Sequence, residues 1–577
     1  MKSGAATEAV PAVPGGRLAR EGDDGAIGPV TVELAFAEPG AAARLVRQAA
    51  WRRAATAATG PGARRRRPVA VALGWHDTAS GALARRGLAL EVPQRGPRVL
   101  LRSLPGPETA WRPGTPPEPV AVLDDPGAPL PDAAGLDGAE RRMPLRPFAA
   151  FEGRRARFAL ASAEDAPDAP PILAELLTGR LRAVGGERAV ARLTLEGPCA
   201  PVLALARALA AELPVLPPRA TLAEEARALA LDEPVRPRRA GPPALAGAGD
   251  ARRALGLALG HLAEALLYHA PLARPEAGPE GVHQMRVALR RMRSVLRLFR
   301  PVATAGEAPV LRAFEARLRD LAGTLGPARD WDVFLGGLGA ELAAALPQEP
   351  RLAELLRAAE ARRAEAYATL RRAVDGPEFR VLACDAMALA MRFLAAGSGA
   401  APLRQGGEAA SGAPPPDEAA SPPPEPLGHF AAAALDRRWR RLCARGEAMS
   451  VSLDDEALHA LRLEGKRMRY AAELFAPLWP GKPSRRFVRR LAALQEALGL
   501  ANDAATARRL VAGLEPPMPP SRPGADRDRR ADRGERRRAW AIGLAEGFAL
   551  ARARRVRRRA LRAWEALLRR APFWQRG

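Results

Sequence analysis

Residues 282–301 read VHQMRVALRRMRSVLRLFRP, and residues 458–477 read LHALRLEGKRMRYAAELFAP. Both carry the pattern His-x2-Arg-x3-[Arg/Lys]-Arg-Met-Arg, followed at one spacing by Leu-Phe-x-Pro. Further on, Leu325-Gly326 and Ala328-Arg329-Asp330 answer Leu498-Gly499 and Ala501-Asn502-Asp503. Three blocks repeated in one order point to an internal duplication. Apolar residues recur at the period of an amphipathic helix, and Met285, Leu289, Met292 and Leu296 form one face. His283, Arg286, Arg290, Arg293 and Arg297 fall on a different stripe, which His459, Arg462, Lys466 and Arg469 repeat.

Cations held along one stripe repel unless water or an anion lies between them. Guanidinium groups grip phosphate oxygens bidentately, lysine adds a point charge, and histidine titrates near neutrality. A solvated basic face accounts for a lone stripe. Duplication preserves core positions but need not preserve charges on a solvated face, so a stripe kept in both copies points to a polyanion. Two such units packed about a pseudo-two-fold axis line one groove with both stripes. The whole chain carries a net charge of +25, which favours anionic partners. The preference for arginine, with abundant Ala, Gly and Pro, matches a GC-rich bacterial genome and says little by itself. Asp330 and Asp503 each follow a glycine-containing break. They are expected to cap the next helix, with pairing to a stripe arginine as the alternative.

The helical pattern extends over residues 249–577, with a first repeat at 249–395 and a second at 428–577. The Pro-rich, polar segments 396–427 and 514–535 are expected to be a disordered insertion and a mobile loop. Residues 536–570 form a basic helix. It either extends the groove or is amphipathic, with Trp540, Phe548, Leu561 and Trp564 turned inward. Residues 216–248 read as a linker with a short helix at its start. Residues 29–215 are α+β, with strands expected at 31–36, 86–92, 97–102, 148–151, 156–161 and 189–195 and a helix at 200–212. Residues 1–28 read as a disordered tail lacking the apolar stretch of a secretory signal.

No run of about 18 apolar residues predicts a membrane span. Cys199, Cys384 and Cys443 are spaced for neither a disulfide framework nor a zinc cluster, and read as buried thiols of a cytoplasmic protein. No Gly-rich phosphate loop and no Ser/His/Asp arrangement stands out. His261 and His269 are two turns apart, too far for chelation, and read as packing or edge residues. Aromatic residues make up 5% of the chain and do not interleave with the stripes, so nucleic acid is a less favoured partner than a phosphate polymer.

With 282–301, LGPARDWD (325–332), 458–477, LQEALGLANDA (494–504) and the closing PFW (572–574), region 246–577 resembles the CHAD domain, the conserved histidine α-helical domain. The resemblance implies an all-α pair of pseudo-symmetric four-helix bundles that binds inorganic polyphosphate and is targeted to polyphosphate granules. Residues 29–215 resemble a CYTH domain of the triphosphate tunnel metalloenzyme superfamily. The shared landmarks are Val32-Glu33-Leu34, Trp75-His76-Asp77-Thr78, residues 83–90, Leu145-Arg146-Pro147-Phe148 and the helix at 200–212. That resemblance implies an eight-stranded antiparallel β-tunnel, with basic residues on the triphosphate and glutamates on a divalent metal.

The sequence departs from that pattern where the chemistry lies. The family's Glu-x-Glu-x-Lys is Thr31-x-Glu33-x-Ala35 here, Glu91 and Pro93 stand where basic residues are expected, and Thr194 stands where an acid is expected. Glu33 is a weak candidate metal ligand, because a hard divalent ion needs several oxygens. His76, beside Asp77, reads as a surface or turn histidine rather than a ligand. The expectation is therefore a polyphosphate-binding protein with no catalytic residues and no cofactor. Mg or Mn would be needed only by an active tunnel. The alternatives are a metal-dependent triphosphatase or polyphosphatase and a nucleic-acid-binding protein. Oligomeric state is left open.

Overall fold

The computed structural model describes residues 29–56, 67–104, 114–125, 128–162, 170–237, 241–245, 247–396, 425–451, 455–514, 525–569 and 571–575. The expected tail at 1–28 lies outside these residues, as do most of the 396–427 insertion and positions 515–524 of the second loop.

The N-terminal part runs β1 (Val30–Phe36), α1 (Ala49–Thr56), β2 (Val69–Thr78), α2 (Ala82–Arg85), β3 (Leu88–Pro93), β4 (Arg98–Arg102), β5 (Pro119–Leu123), α3 (Gly138–Arg142), β6 (Leu145–Leu160), β7 (Ile172–Ala183), β8 (Gly186–Gly197), α4 (Cys199–Glu212), β9 (Val215–Leu216) and α5 (Leu222–Leu231). The strands make one antiparallel sheet in the order β5-β4-β3-β2-β6-β7-β8-β1-β9. There are nine strands where the tunnel resemblance implied eight, and no pairing joins β5 to β9 among the described residues. The two runs expected at 148–151 and 156–161 are one strand, because β7 pairs with β6 from Ala149 to Leu160.

Strand alternation sorts the two faces. Val32 and Leu34 pack with Leu193, Leu195 and the buried side of α4. On the other face Trp75, Phe151, Leu181 and Val190 pack with Ala223 and Ala226 of α5. The start of the segment read as a linker is thus a helix covering the sheet.

The helical part runs α6 (Ala251–His269), α7 (Glu280–Leu298), α8 (Glu307–Phe334), α9 (Ala340–Ala345), α10 (Pro350–Asp375), α11 (Pro377–Ala396), α12 (Leu427–Val451), α13 (Asp455–Phe475), α14 (Lys482–Ala512) and α15 (Ala525–Leu568). Residues from α6–α8 and α10–α15 share one core. The matching phenylalanines of the two copies, Phe299 and Phe475, lie 5.9 Å apart between ring centroids, and Phe430 stacks on Phe299 at 4.9 Å. Leu245 enters this core, and the Gly241 carbonyl accepts from Arg291 Nη1 at 3.2 Å, with His261 Nε2 also 3.2 Å away. The chain ahead of α6 is therefore anchored. The sheet and the helices also share apolar surface, since Cys384, Met387 and Met391 of α11 pack in the core that holds β1 and α4.

Three expectations are corrected. Neither Asp330 nor Asp503 stands at a helix start, because α8 runs unbroken through Pro327 and α14 through Gly499. A proline inside a helix costs one hydrogen bond and some steric strain, which the buried Leu325, Ala328 and Trp331 offset. The loop expected at 514–535 turns helical at Ala525. On α15, Trp564 is 3% exposed, but Trp540 and Phe548 are 36% and 40% exposed. The inward face at that level is the small pair Ala541 and Ala545, packed with Trp331, Phe334 and Leu342, which leaves the larger rings at the edge. Arg351 then stacks 3.7 Å from the Trp540 centroid.

Cys199 and Cys384 are buried, but Cys443 is only partly so. Burial pushes the Cys384 thiol up to about 12. No described helix is long and apolar enough to cross a membrane.

Candidate polyanion surface

The position of α7 is set at its first turn. A Cβ at Gly281 would come within 2.1 Å of the Leu272 carbonyl oxygen, so only glycine allows this approach. The apolar face (Val282, Met285, Leu289, Met292) is then fully buried. This leaves His283, Arg286, Arg290, Arg293 and Arg297 half-buried along the side.

Much of that stripe faces α8. Arg286 Nη1 donates to the Ala322 carbonyl at 3.3 Å. Burial lowers the pKa of Arg286, Arg290 and Arg329 lower it further, and Asp330 opposes them. The charge of Asp330 thus acts on Arg286, one of the stripe arginines with which pairing is the expected alternative to capping. His283 is held below the ordinary histidine value first by burial and then by Arg329, with Glu280 acting the other way. Arg293 is likewise lowered by burial and by Arg297 and Arg319. The Nε atoms of Arg290 and Arg293 are buried without a hydrogen-bond partner. Arg290 also lies over the Tyr470 ring at 5.3 Å.

The second stripe differs in detail. His459 is exposed, whereas Arg462, Lys466 and Arg469 are half-buried. Arg469 donates to Glu473 at 2.5 Å and to Gln495 of α14 at 3.4 Å. Arg291 of α7 reaches the same Glu473 at 3.0 Å, so this carboxylate ties the two signature helices together.

Both copies contribute to one basic cleft. Arg297 at the end of α7 and Arg300 just beyond it, Arg437, Arg438 and Arg441 from α12, and Arg467 from α13 line an open space of about 1060 Å³. No carboxylate is among its lining residues. Glu315 pairs with Arg297 at 2.5 Å and with Arg300 at 3.5 Å, and Glu464 pairs with Arg467. Burial lowers the pKa of Arg438, and Arg441, Arg467 and Arg297 add to it against Glu464. Such mutual repulsion is relieved by a multivalent anion.

The three α12 arginines were missed in the sequence because α12 lies outside the repeated blocks. The run Asp436-Arg-Arg-Trp-Arg-Arg441 was their only signal. Asp332 was missed as a structural group. Its carboxylate, 1% exposed, pairs with Arg363 at 2.7 Å and accepts from the Tyr367 hydroxyl at 2.8 Å, bracing α8 on α10.

In the N-terminal part, the residues do not fit a divalent ion. Glu33 is 7% exposed, and its charged neighbour is Arg192 at 3.8 Å. Among the described residues, no group of three or more His, Cys, Asp and Glu side chains is placed to hold a metal. Asp77 accepts from the backbone N–H groups of Leu83 at 2.9 Å and Ala84 at 3.0 Å, so it anchors α2. His76 lies in β2, partly buried, and burial followed by Arg98 lowers its pKa.

The family model for the CHAD domain matches residues 257–512, so the helical part carries a CHAD domain. Solved structures similar to this chain include two CHAD-length chains. The CHAD domain from the plant Ricinus communis is 28% identical over 56% of this chain and 94% of that one, with a TM-score of 0.39. PptA from Streptomyces chartreusis is 17% identical over 55% of this chain and 100% of that one, with a TM-score of 0.38. No curated protein matches the chain.

Proposed function

We propose that this protein binds inorganic polyphosphate on the surface formed by His283, Arg286, Arg290, Arg293 and Arg297 of α7, His459, Arg462, Lys466 and Arg469 of α13, and the arginine cleft between them. The observation that carries this reading is the cleft, where six arginines from both copies converge with no carboxylate in the lining. The CHAD match and the family resemblance support it. A linear phosphate polymer suits the surface because it offers one charge per unit and asks for no stacking platform. Nucleic acid is less well served, since no aromatic residue lines the cleft.

The two repeats are read as pseudo-symmetric bundles and the N-terminal sheet as a CYTH-like fold that has lost its catalytic residues. On this reading the protein works in the cytoplasm, at polyphosphate granules. Calorimetric titration with size-defined polyphosphates, with duplex DNA as competitor at moderate salt, tests the reading. Polyphosphate should bind and should displace DNA, and DNA should not displace polyphosphate. The reverse order of displacement would sink the proposal. Tripolyphosphate with Mg²⁺ or Mn²⁺ should release no phosphate. Turnover that Glu33→Gln abolishes would restore the triphosphatase alternative.

A further inference from the structure

Glu33 is read in the resemblance as a metal ligand, yet a cation of the chain's own lies beside it. Arg192 sits on β8 opposite Ala35 of β1, and Glu33 pairs in register with Thr194, so Arg192 and Glu33 share the face of the sheet that α5 covers. The Arg192 side chain is 3% exposed. Its Nη2 donates to Glu225 of α5 at 2.7 Å and to the Ala220 carbonyl at 3.2 Å, and its Nε lies 3.8 Å from Glu33 Oε1. The helix that brings Glu225 is fixed by two further pairs. Arg236 meets Glu224 at 2.6 Å, and Arg227 stands 3.8 Å from Asp77.

We infer that the Arg192 guanidinium is the built-in cation of the N-terminal domain, bridging Glu33 and Glu225 where a tunnel of this kind would hold a divalent metal, and pinning α5 to the sheet. A planar guanidinium remains charged at every physiological pH and serves two carboxylates at once. Buried carboxylates need such a partner. A divalent ion needs several oxygens at about 2.0–2.6 Å. The fixed positive charge beside Glu33 repels a second cation from that spot. The departures seen in the sequence then form a set: the lysine is replaced by Ala35, an acid by Thr194, and the metal by Arg192.

The test uses the full chain. Mn²⁺ binding is followed by electron paramagnetic resonance, and the melting temperature is measured with EDTA and with Mn²⁺. Wild-type protein should melt at the same temperature in both, with no Mn²⁺ binding that Glu33→Gln removes. Arg192→Ala leaves the buried Glu33 and the partly buried Glu225 without their cation, so it should melt several degrees lower. Mn²⁺ should restore part of that loss, and adding Glu33→Gln should abolish the Mn²⁺ response. Arg192→Lys should stay indifferent to Mn²⁺. A folded Arg192→Ala protein with no Mn²⁺ response overturns the inference. So does Glu33-dependent Mn²⁺ binding by the wild type, which remains measurable if Arg192→Ala fails to fold. The inference rests on the CYTH-like reading of the sheet, and because polyphosphate binding is not the readout, neither result bears on the proposed polyphosphate surface.

Discussion

Replacing Arg437, Arg438 and Arg441 together by glutamine removes the α12 wall of the cleft and leaves both signature helices untouched. Arg438 is half-buried, while Arg437 and Arg441 are exposed. A charge-assisted contact from a half-buried guanidinium contributes about 1.5 kcal/mol, and an exposed, screened one roughly 0.5 kcal/mol. One of the first kind and two of the second give about 2.5 kcal/mol, or roughly 70-fold in affinity. If counterion release follows the single-strand value of about 0.7 per contact, the slope of log K against log salt should fall by about 2. Calorimetric titrations with long-chain polyphosphate over a salt series measure both quantities. The control replaces Arg180, Arg182 and Arg188 on the β7–β8 hairpin, removing equal charge from the sheet. Equal losses in the two triple variants would refute the reasoning, because net charge and not the cleft would then govern binding.

Three further outcomes are expected. The His283 pKa lies below its ordinary 6.5, so this group stabilises the free protein above that value and loses its contribution as pH falls through the folded pKa. A bound polyanion favours the protonated ring. Affinity should therefore rise as stability falls on acidification, and His283→Ala should flatten this gain in a pH series of titrations. Asp332→Ala should cost about 3–5 kcal/mol in denaturant unfolding, since it strands Arg363 in a buried pair. Gly281→Ala should lower the melting temperature and weaken polyphosphate binding together, because the clash with Leu272 displaces the start of α7.

The duplicated helices were legible because their chemistry is periodic: Met285, Leu289 and Met292 mark the core, and the charges mark the side. Sequence left β7 (ILAELLTGRLRA) unread, since it lacks a clean period of two. Its Gly179 lies against Gly153 of β6, an approach visible only once the strands pair. Gly326-Pro327 looked like a break because local propensity was weighed without the buried Trp331 that carries the helix across it. The cleft arginines were hidden for a different reason. They lie on α12, which falls outside the repeated blocks, so no repeated pattern reveals its charge. Arg192 was an isolated basic residue until α5 folded over it.

The placement of Cys384, Met387 and Met391 against the sheet has a consequence for how this chain can be handled and how it can evolve. A fragment begun at Asp250 would bare that thioether-rich strip to water and leave Asp385 without its 2.8 Å contact to Arg207. Such a truncation would yield a sticky product, prone to precipitation and to proteolytic trimming, even with every signature helix intact. The sheet thus acts as a permanent chaperone for α11. Recombination that swapped the front half for an unrelated module would have to supply a matching apolar seat.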